Sequence, residues 1–225
     1  MPTLEWKFSV PLWFGHAGST PLRLEQHLPG DIVRGEAERY IQDRFLEAHG
    51  AEVRLFMPEL WALRGADDGL CATAGIRLAE HDTLFLEHYL DNPIEQLAAG
   101  VAGGEVPRRV IVEVGNLAAS NIGSARLCII TVTWLLARRG LEWVVFTGNV
   151  GLVNSFNRLG LRPVTLCLAD PMRLGEQRHE WGRYYQTRPS VHIGNIRTGF
   201  AHLTRLGLFE RFGLPPLSQV HSHVA

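Results

Sequence analysis

The hydrophobic pattern is clearest in the centre of the chain, where unbroken apolar runs alternate with segments of helical periodicity. Short apolar runs predict strands, and apolar positions three and four residues apart predict helices. The predicted elements, in order, are a strand at Val110–Val114, a helix at Gly123–Arg139, a strand at Trp143–Phe146, a short amphipathic helix at Leu152–Leu159 and a strand at Pro163–Leu168. The long helix is apolar on nearly every side, which indicates burial. This alternation predicts an α/β fold, with a mixed sheet flanked by helices on both faces.

The N-terminal part adds further elements to this centre. We expect an extended segment over residues 1–30, with a strand near Leu22–Leu24. A helix then begins at an Asp31 cap and ends at Gly50. Strands follow at Ala51–Phe56 and Leu70–Leu78, joined across the Gly65–Gly69 loop.

Two more helices are expected outside the centre. Asn92 predicts a helix start, with Pro93 at the first position and Glu95 as the capping-box acid. That helix runs to about Ala99, and residues 101–107 form a loop. The polar and aromatic region 172–190 is interpreted as a loop or short helix, followed by a strand at 190–193 and a helix at 197–208.

Length and composition indicate one globular unit. The 225 residues fit a single domain, placed at residues 1–213, with a disordered tail at 214–225. The formal net charge of −1 gives no support for nucleic-acid binding. The start of the chain lacks the pattern of a signal peptide, and the longest apolar run is shorter than the roughly 18–20 residues of a membrane span. We therefore expect a cytoplasmic protein without integral membrane association.

The cysteines and histidines predict neither a disulfide framework nor a metal site. Cys71, Cys128 and Cys167 are an odd number, lack paired spacing and each lie in an apolar run, which is typical of small buried side chains. Of the ten histidines, only His221 and His223 are close together, in the predicted tail.

Glu113 is the most informative single residue. It places a carboxylate inside an apolar strand, where a charge needs either a structural partner or a chemical role. The small polar residues that follow, from Gly115 to Asn121, would let a ligand approach the backbone. We interpret Glu113 as a functional carboxylate, with structural pairing as an equally weighted alternative.

The segment Ser120–Arg126 is a candidate phosphate loop, because it precedes a helix N-terminus. Its candidate binding groups are Ile122, Gly123, Ser124, Ala125 and Arg126. The alternative is a simple N-cap by Asn121 or Ser120, and the two interpretations are compatible.

This loop resembles the pyrophosphate loop of GNAT acyltransferases, Gln/Arg-x-x-Gly-x-Gly/Ala. Gly123 and Ala125 match, and Ser120 replaces the first residue. The segment from Asn149 through Asn154 and Phe156 resembles the next GNAT helix, and both asparagines and Phe156 become candidate site residues. Phe156 replaces the usual tyrosine, so the resemblance supplies no general acid there.

The run Glu113–Ser120 resembles a strand motif of acyl-homoserine-lactone synthases and N-acyl amino acid synthases. Asn116 stands where those enzymes have arginine, and Arg44-Phe45 resembles their first-helix pair. The resemblance implies an acyl-carrier protein as a possible donor and places Arg44 near the substrate.

A third resemblance covers residues 38–195 and is to the thermostable hemolysin family. Its motifs occur in order: RYIQDRF (39–45), MPEL (57–60), CATAGIRLA (71–79), LFLEHYLDNPIE (84–95), IVEVGNLA (111–118), WVVFTGN (143–149), FNRLGL (156–161), LADP (168–171) and WGRYY (181–185). The family name implies hemolysis without a mechanism.

Two aromatic clusters are candidate substrate contacts. Glu87 and Tyr89 belong to a polar segment that either faces the substrate or simply caps a helix. Trp181 and Tyr184 either line an acyl pocket or pack on the sheet.

Taken together, the resemblances to acyltransferases imply an N-acyltransferase that moves an acyl group from acyl-CoA or acyl-phosphopantetheine to a small amine such as an amino acid. Glu113 would be the base, with Asn116 and Asn149 at the reaction centre. An N–H near Leu117–Ala118 would polarise the thioester carbonyl, and pantetheine would lie between the Val110–Val114 and Trp143–Phe146 strands. No tightly bound cofactor or metal is expected. The alternatives are a membrane-active hemolysin without catalysis and a non-catalytic ligand-binding domain.

Overall fold

The computed structural model describes residues 10–16, 18, 21–65 and 67–216. Within this part of the chain, eight strands form one sheet in the order β1-β2-β3-β4-β5-β6-β8-β7. The strands are β1 (Leu12–Phe14), β2 (Leu22–His27), β3 (Glu59–Arg64), β4 (Leu70–Leu78), β5 (Ile111–Ala119), β6 (Trp143–Gly148), β7 (Val164–Leu168) and β8 (Ser190–Asn195). The helices are α1 (Arg34–His49), α2 (Ile94–Ala102), α3 (Ile122–Arg138), α4 (Val150–Arg158), α5 (Ile196–Arg205) and α6 (Leu208–Arg211). Short 3-10 helices lie at Phe85–Tyr89, Arg108–Val110 and Tyr184–Thr187, and the segment Pro171–Trp181 consists of two 3-10 helices separated by a kink at Gly175.

The sheet is mixed. Its strand pairs are antiparallel except for β5 and β6, which run parallel at its centre. A parallel pair needs a crossover connection, and α3 supplies it. The predicted mixed sheet is confirmed.

Helices cover both faces of the sheet. On β5, Val112 and Val114 belong to the core shared with α3 and α5, whereas Ile111 packs with α2 on the opposite face. The α1 helix buries Ala37 and Ile41 on a third cluster, which includes Leu60 of β3. The α3 helix is buried along most of its length, as its apolar sequence predicts.

The predicted strand at Ala51–Phe56 is wrong, because this segment is irregular. Its backbone groups bond outside the sheet: Glu52 N–H donates to Glu180 O, and Gln42 donates to Val53 O. The strand is instead β3, whose residues Leu60–Leu63 are fully buried and show no polar alternation.

Two predicted helix starts are also wrong. The α1 helix begins at Arg34, because the Asp31 carboxylate accepts a bond from Leu28 N–H at 2.6 Å and does not cap the helix. The α2 helix begins after Pro93 and continues to Ala102, and the Glu95 carboxylate bonds to Arg108. The predicted end of α1 at Gly50 is confirmed, with Gly50 in the left-handed region at φ 64°.

The ends of other elements also differ from the prediction. The β5 strand runs to Ala119, so the expected loop after Val114 is strand. The helix expected at 197–208 is interrupted at Gly207 and becomes α5 and α6. In the expected tail, Leu214 is buried and Pro215 O accepts a bond from Trp134 Nε1 at 2.8 Å.

Parts of some predictions lie outside the described residues, including residues 1–9, 17 and 19–20 of the extended segment 1–30 and residues 217–225 of the tail 214–225. Within the described ranges, no helix is long and apolar enough to cross a membrane. Cys128 is buried, and Cys71 and Cys167 are half-buried free thiols.

Candidate active site

The two central strands separate halfway along their length. The parallel pairing joins only residues Ile111–Glu113 of β5 to residues Trp143–Val145 of β6. Beyond that point β5 continues to Ala119 along β4, and β6 continues to Gly148 along β8. A gap therefore opens in the middle of the sheet, immediately after Glu113. The sequence places pantetheine between these two strands, and that role stays a prediction.

A β-bulge at Asn116 shapes one side of this gap. Thr73 of β4 pairs with Ala118 of β5, and Gly75 pairs with Gly115. Between these two pairs β5 has one residue more than β4. Asn116 has a φ of 46°, which lies in the left-handed region that one class of β-bulge uses. Its side chain accepts a bond from Met57 N–H at 2.8 Å and donates to Leu55 O at 3.3 Å. Asn116 therefore ties the irregular segment 51–57 to the bulge.

Close packing at the bulge explains two glycines. The Met57 side chain crosses β4 and β5 at this point, and a Cβ on Gly75 would lie 2.6 Å from Met57 Cβ. A Cβ on Gly115 would collide with the tip of the same side chain.

A cavity of about 1070 Å³ passes through the gap. On the α1 face it is lined by Phe45, Phe85, Glu113 and Trp181. On the α3 face it is lined by residues of α3, α4 and α5, namely Ile129, Val132, Leu136, Leu152, Phe156, Gly199 and His202. One continuous space therefore connects the two faces of the sheet.

Glu113 lies in the wall of this cavity and is 3% exposed. Its two carboxylate oxygens accept bonds from Phe85 N–H at 2.8 Å and Leu86 N–H at 3.0 Å. Burial raises the pKa of the carboxyl to about 7, although these two bonds and the charge of Arg77 act in the opposite direction. A carboxyl with that pKa exchanges protons near neutral pH.

An aromatic wall surrounds the α1-side compartment. Trp181 packs against Phe45, Phe85 and Tyr184, with ring centroids 5.5 to 6.2 Å apart. The hydroxyls of Tyr89 and Tyr185 are 2.6 Å apart, and burial raises the pKa of Tyr185 to about 12. Tyr184 donates a long bond of 3.5 Å to Thr147 O on β6, where β6 has left β5.

Most predicted site residues meet at this cavity. Those that line it are Glu113, Asn116, Asn149, Leu117, Ala118, Phe156, Arg44, Tyr89, Trp181 and Tyr184. Those that do not line it are Ile122, Gly123, Ser124, Ala125, Arg126, Asn154 and Glu87. The catalytic candidates therefore line one cavity, and the phosphate-loop candidates lie beyond the end of β5.

Glu87 has a structural environment. Two guanidinium nitrogens of Arg108 donate hydrogen bonds to its carboxylate at 2.8 and 2.9 Å. The carboxylate also accepts bonds from the N–H groups of Leu84 and Ile94. Burial opposes ionisation of Glu87, but the bonds from Arg108 and the backbone outweigh it and lower its pKa. This network holds the 3-10 helix whose N–H groups bind Glu113.

The N-terminus of α3 combines a cap with unbonded backbone groups. Asn121 accepts a bond from Ser124 N–H at 2.9 Å, as the N-cap interpretation predicts. The N–H groups of Ile122 and Gly123 belong to the first turn, where helical partners are lacking. An anion could bind these groups without displacing the cap.

The α4 helix contributes Asn149 and Phe156. Asn149 caps the helix through a bond from Leu152 N–H at 3.1 Å. Phe156 stacks on Phe146 of β6, with ring centroids 4.8 Å apart.

Several cavity residues were missed by the sequence reasoning, including Met57, Arg77, Thr147 and His202. The MPEL motif was a signal for Met57. Thr147 lay in the WVVFTGN motif, directly before the candidate Asn149.

The chain belongs to the thermostable hemolysin family, whose model matches residues 27–200. The family prediction made from the sequence motifs is confirmed. None of the curated protein sequences matches the chain.

Solved structures with the same architecture include three synthases. FeeM, an N-acyl amino acid synthase from uncultured soil microbes, has a TM-score of 0.51 at 14% identity, over 84% of this chain and 100% of FeeM. The acyl-homoserine-lactone synthase LasI has a TM-score of 0.52 at 11% identity, over 78% of this chain and 89% of LasI. The CoA-dependent acyl-homoserine-lactone synthase BjaI, solved with SAM and isopentyl-CoA, has a TM-score of 0.52 at 12% identity, over 86% of this chain and 90% of BjaI. At these identities the likeness is one of fold, and the predicted GNAT-like α/β fold is confirmed.

Proposed function

We propose that this protein is an N-acyltransferase, which moves an acyl group from a thioester donor to the amine of a small acceptor such as an amino acid. The observation that carries the proposal is the cavity between β5 and β6, with the buried Glu113 carboxylate in its wall. The similarity to an N-acyl amino acid synthase and to a CoA-dependent synthase supports the classes of acceptor and donor. The donor is acyl-CoA or acyl-carrier protein, neither of which is a tightly bound cofactor.

The reaction needs one base. The acceptor amine attacks the thioester carbonyl carbon, a C–N bond forms and the C–S bond breaks. The proton lost by the nitrogen passes to Glu113, directly or through water, and the departing thiolate finally takes up a proton. Each carboxylate oxygen of Glu113 accepts one backbone bond, so each keeps a lone pair for this proton.

The oxyanion would be stabilised by backbone donors of β5. The strand pairs with β6 only as far as Glu113, so the N–H groups that face β6 beyond it have no strand partner. The bulge also leaves Asn116 and Leu117 outside the register with β4, next to Ala118. Fixed donors of this kind stabilise developing negative charge strongly in a site that excludes water.

The other candidates divide into positioning and binding roles. Asn116 and Asn149 hold the two edges of the gap through their bonds to Met57 and Leu152. On the α1 face, Arg44, Tyr89, Trp181 and Tyr184 would bind the acceptor beside Glu113. The phosphates of the donor would bind the first turn of α3, where Ser124 and Arg126 lie.

Thiol release tests the proposal. Purified protein is incubated with a panel of acyl-CoA and acyl-carrier-protein donors and pooled amino acids, and Glu113→Gln is measured beside the wild type. We expect acceptor-dependent release that falls about 100-fold or more in the variant, because general bases contribute factors of this size. The wild-type rate should rise with pH through about 7, as Glu113 loses its proton.

Two controls separate catalysis from folding. Thermal unfolding of Glu113→Gln shows whether the variant keeps its structure, since the amide nitrogen of glutamine replaces one of the two oxygens that accept the backbone bonds. Absence of thiol release from folded wild-type protein with every donor would overturn the proposal. In that case, donor binding without turnover would indicate a ligand-binding domain, and leakage of liposomes without donor a membrane-active protein.

A further inference from the structure

The cavity opens to the surface on both faces of the sheet. Side chains that line it and are exposed mark each opening. On the α1 face these include Glu47, Leu55 and His88. On the α3 face they include Arg162, Thr198 and Arg205, which belong to the α4–β7 connection and to α5, together with the exposed Val164 of β7. We call the opening on this face the second opening.

The passage that leads to the second opening has a hydrocarbon wall. Its sides are formed by Ile129, Val132 and Leu136 of α3 and by Leu152 and Phe156 of α4. A wall of this composition suits an alkyl chain, which gains free energy from burial and needs no hydrogen bonds.

The end of the passage is polar and basic. His202 lies beside it, and its Nε2 is buried without a hydrogen-bond partner among the described residues. This nitrogen lies against Gly160, where any Cβ would collide with it. Arg162 and Arg205 form no ion pair within the described part of the chain. The acidic residues that line the cavity, Glu47 and Glu113, belong to the α1 face.

We infer that the second opening binds the far end of the donor's acyl chain, and that this chain ends in a carboxylate. The inference rests on the proposed function, because it takes the cavity as the site of a thioester donor. The hydrocarbon wall accommodates the middle of the chain. Arg162 and Arg205 then meet its charged end, since guanidinium groups are well suited to bind carboxylates. A chain with a methyl end offers no acceptor to these exposed arginines, which would then be hydrated by water only.

Calorimetric binding of two CoA thioesters of equal chain length tests this inference. One carries a terminal methyl group and the other a terminal carboxylate. The proteins are the wild type, the double variant Arg162→Ala/Arg205→Ala, and the control Arg158→Ala. Arg158 is an exposed arginine at the end of α4 that does not line the cavity. Thermal unfolding of each protein shows that the fold is kept.

We expect the wild type and the control to bind the carboxylate-ended thioester roughly tenfold more tightly than the methyl-ended one, as the loss of a charged hydrogen bond predicts. The double variant should lose this preference and bind the methyl-ended thioester as before. Equal affinities in the wild type would overturn the inference. An equal loss for both thioesters in the double variant would also overturn it, because the arginines would then bind the CoA phosphates.

Turnover with the same two thioesters separates this inference from the proposed function. Selective binding without thiol release would support the second opening and count against catalysis. Release that is equally efficient with both thioesters would support the acyltransferase and overturn the selectivity for a carboxylate.

Discussion

At the scale of single residues, Glu113 combines two properties that usually exclude each other. Its carboxylate is structurally engaged, because it receives the N–H groups of Phe85 and Leu86. Burial nevertheless raises its pKa to about 7, although such bonds act in the opposite direction. Of the two interpretations of this residue, the structural one is therefore correct in part, and the chemical one remains a proposal.

This pKa predicts a stability that depends on pH. The carboxyl has an ordinary pKa of 4.5, and about 7 in the folded protein. Between these values the folded state keeps a proton that the unfolded state has lost. The stability contributed by the protonated carboxyl is fully present below pH 4.5 and is lost as the pH rises through about 7. The difference between the two pKa values corresponds to about 3 kcal/mol of unfolding free energy.

The free energy of unfolding, measured with urea from pH 4.5 to 8 for the wild type and Glu113→Gln, checks this prediction. Other titrating groups are common to both proteins and cancel in the difference. We expect the unfolding free energy of the wild type to decrease relative to that of Glu113→Gln as the pH rises. Parallel curves would show that the Glu113 pKa is close to its ordinary value.

At the scale of elements, the bulge in β5 decides the shape of the site. Asn116 occupies a left-handed conformation and bonds through its side chain to the segment before β3. Because Met57 lies across Gly75 and Gly115, the bulge and this segment fix each other.

Two replacements of Asn116 separate the contribution of its side-chain hydrogen bonds from the cost of its positive φ. Asn116→Gly removes the bonds to Met57 and Leu55 but tolerates the positive φ, so we expect a loss of about 1–3 kcal/mol in unfolding free energy. Asn116→Ala removes the same bonds and adds roughly 1 kcal/mol of backbone strain. Chemical denaturation measures both. If the two variants were equally stable, strain at this position would be negligible.

At the scale of the whole molecule, residues far apart in sequence close the core. Leu214 lies in the cluster that contains Trp134 and Phe14, and Trp134 donates to Pro215 O. The folded unit therefore extends past the boundary at residue 213 that the sequence suggests.

Two truncations test this extension. Ending the chain after Gly213 removes Leu214 and the acceptor for Trp134, and we expect a loss of about 2–5 kcal/mol, as for large core deletions. Ending it after Pro216 keeps both contacts and should leave the melting temperature close to that of the full chain. Equal melting temperatures for the two truncations would place Leu214 outside the cooperative core.

The accuracy of the sequence predictions varied between elements for identifiable reasons. The α3 helix and the β6 strand were found because both are apolar over a length that only burial explains. The α1 and α2 starts were misplaced because Asp31 and Glu95 had other partners in the folded chain. Propensity and capping signals are local, and tertiary bonds override them.

The candidate site shows the same division. Glu113, Asn149 and Phe156 were identified because each departs from its surroundings or matches a motif. The phosphate-loop candidates lie outside the cavity, and their role stays a prediction. His202 could not be found, because its importance arises from a tertiary contact with Gly160. The MPEL motif marked Met57, but its contacts with Gly75 and Gly115 are visible only in the folded chain.

The sequence by itself determined the alternation of buried strands and helices, the family, and the presence of a carboxylate within an apolar strand. Those features follow from the order of apolar and polar side chains over short stretches of the sequence. The tertiary structure alone decided that β5 and β6 separate after Glu113, that the bulge at Asn116 is tied to residues 55–57, and that one cavity joins both faces of the sheet. These features depend on which backbone groups find partners far along the chain, and no local pattern of residues specifies that pairing.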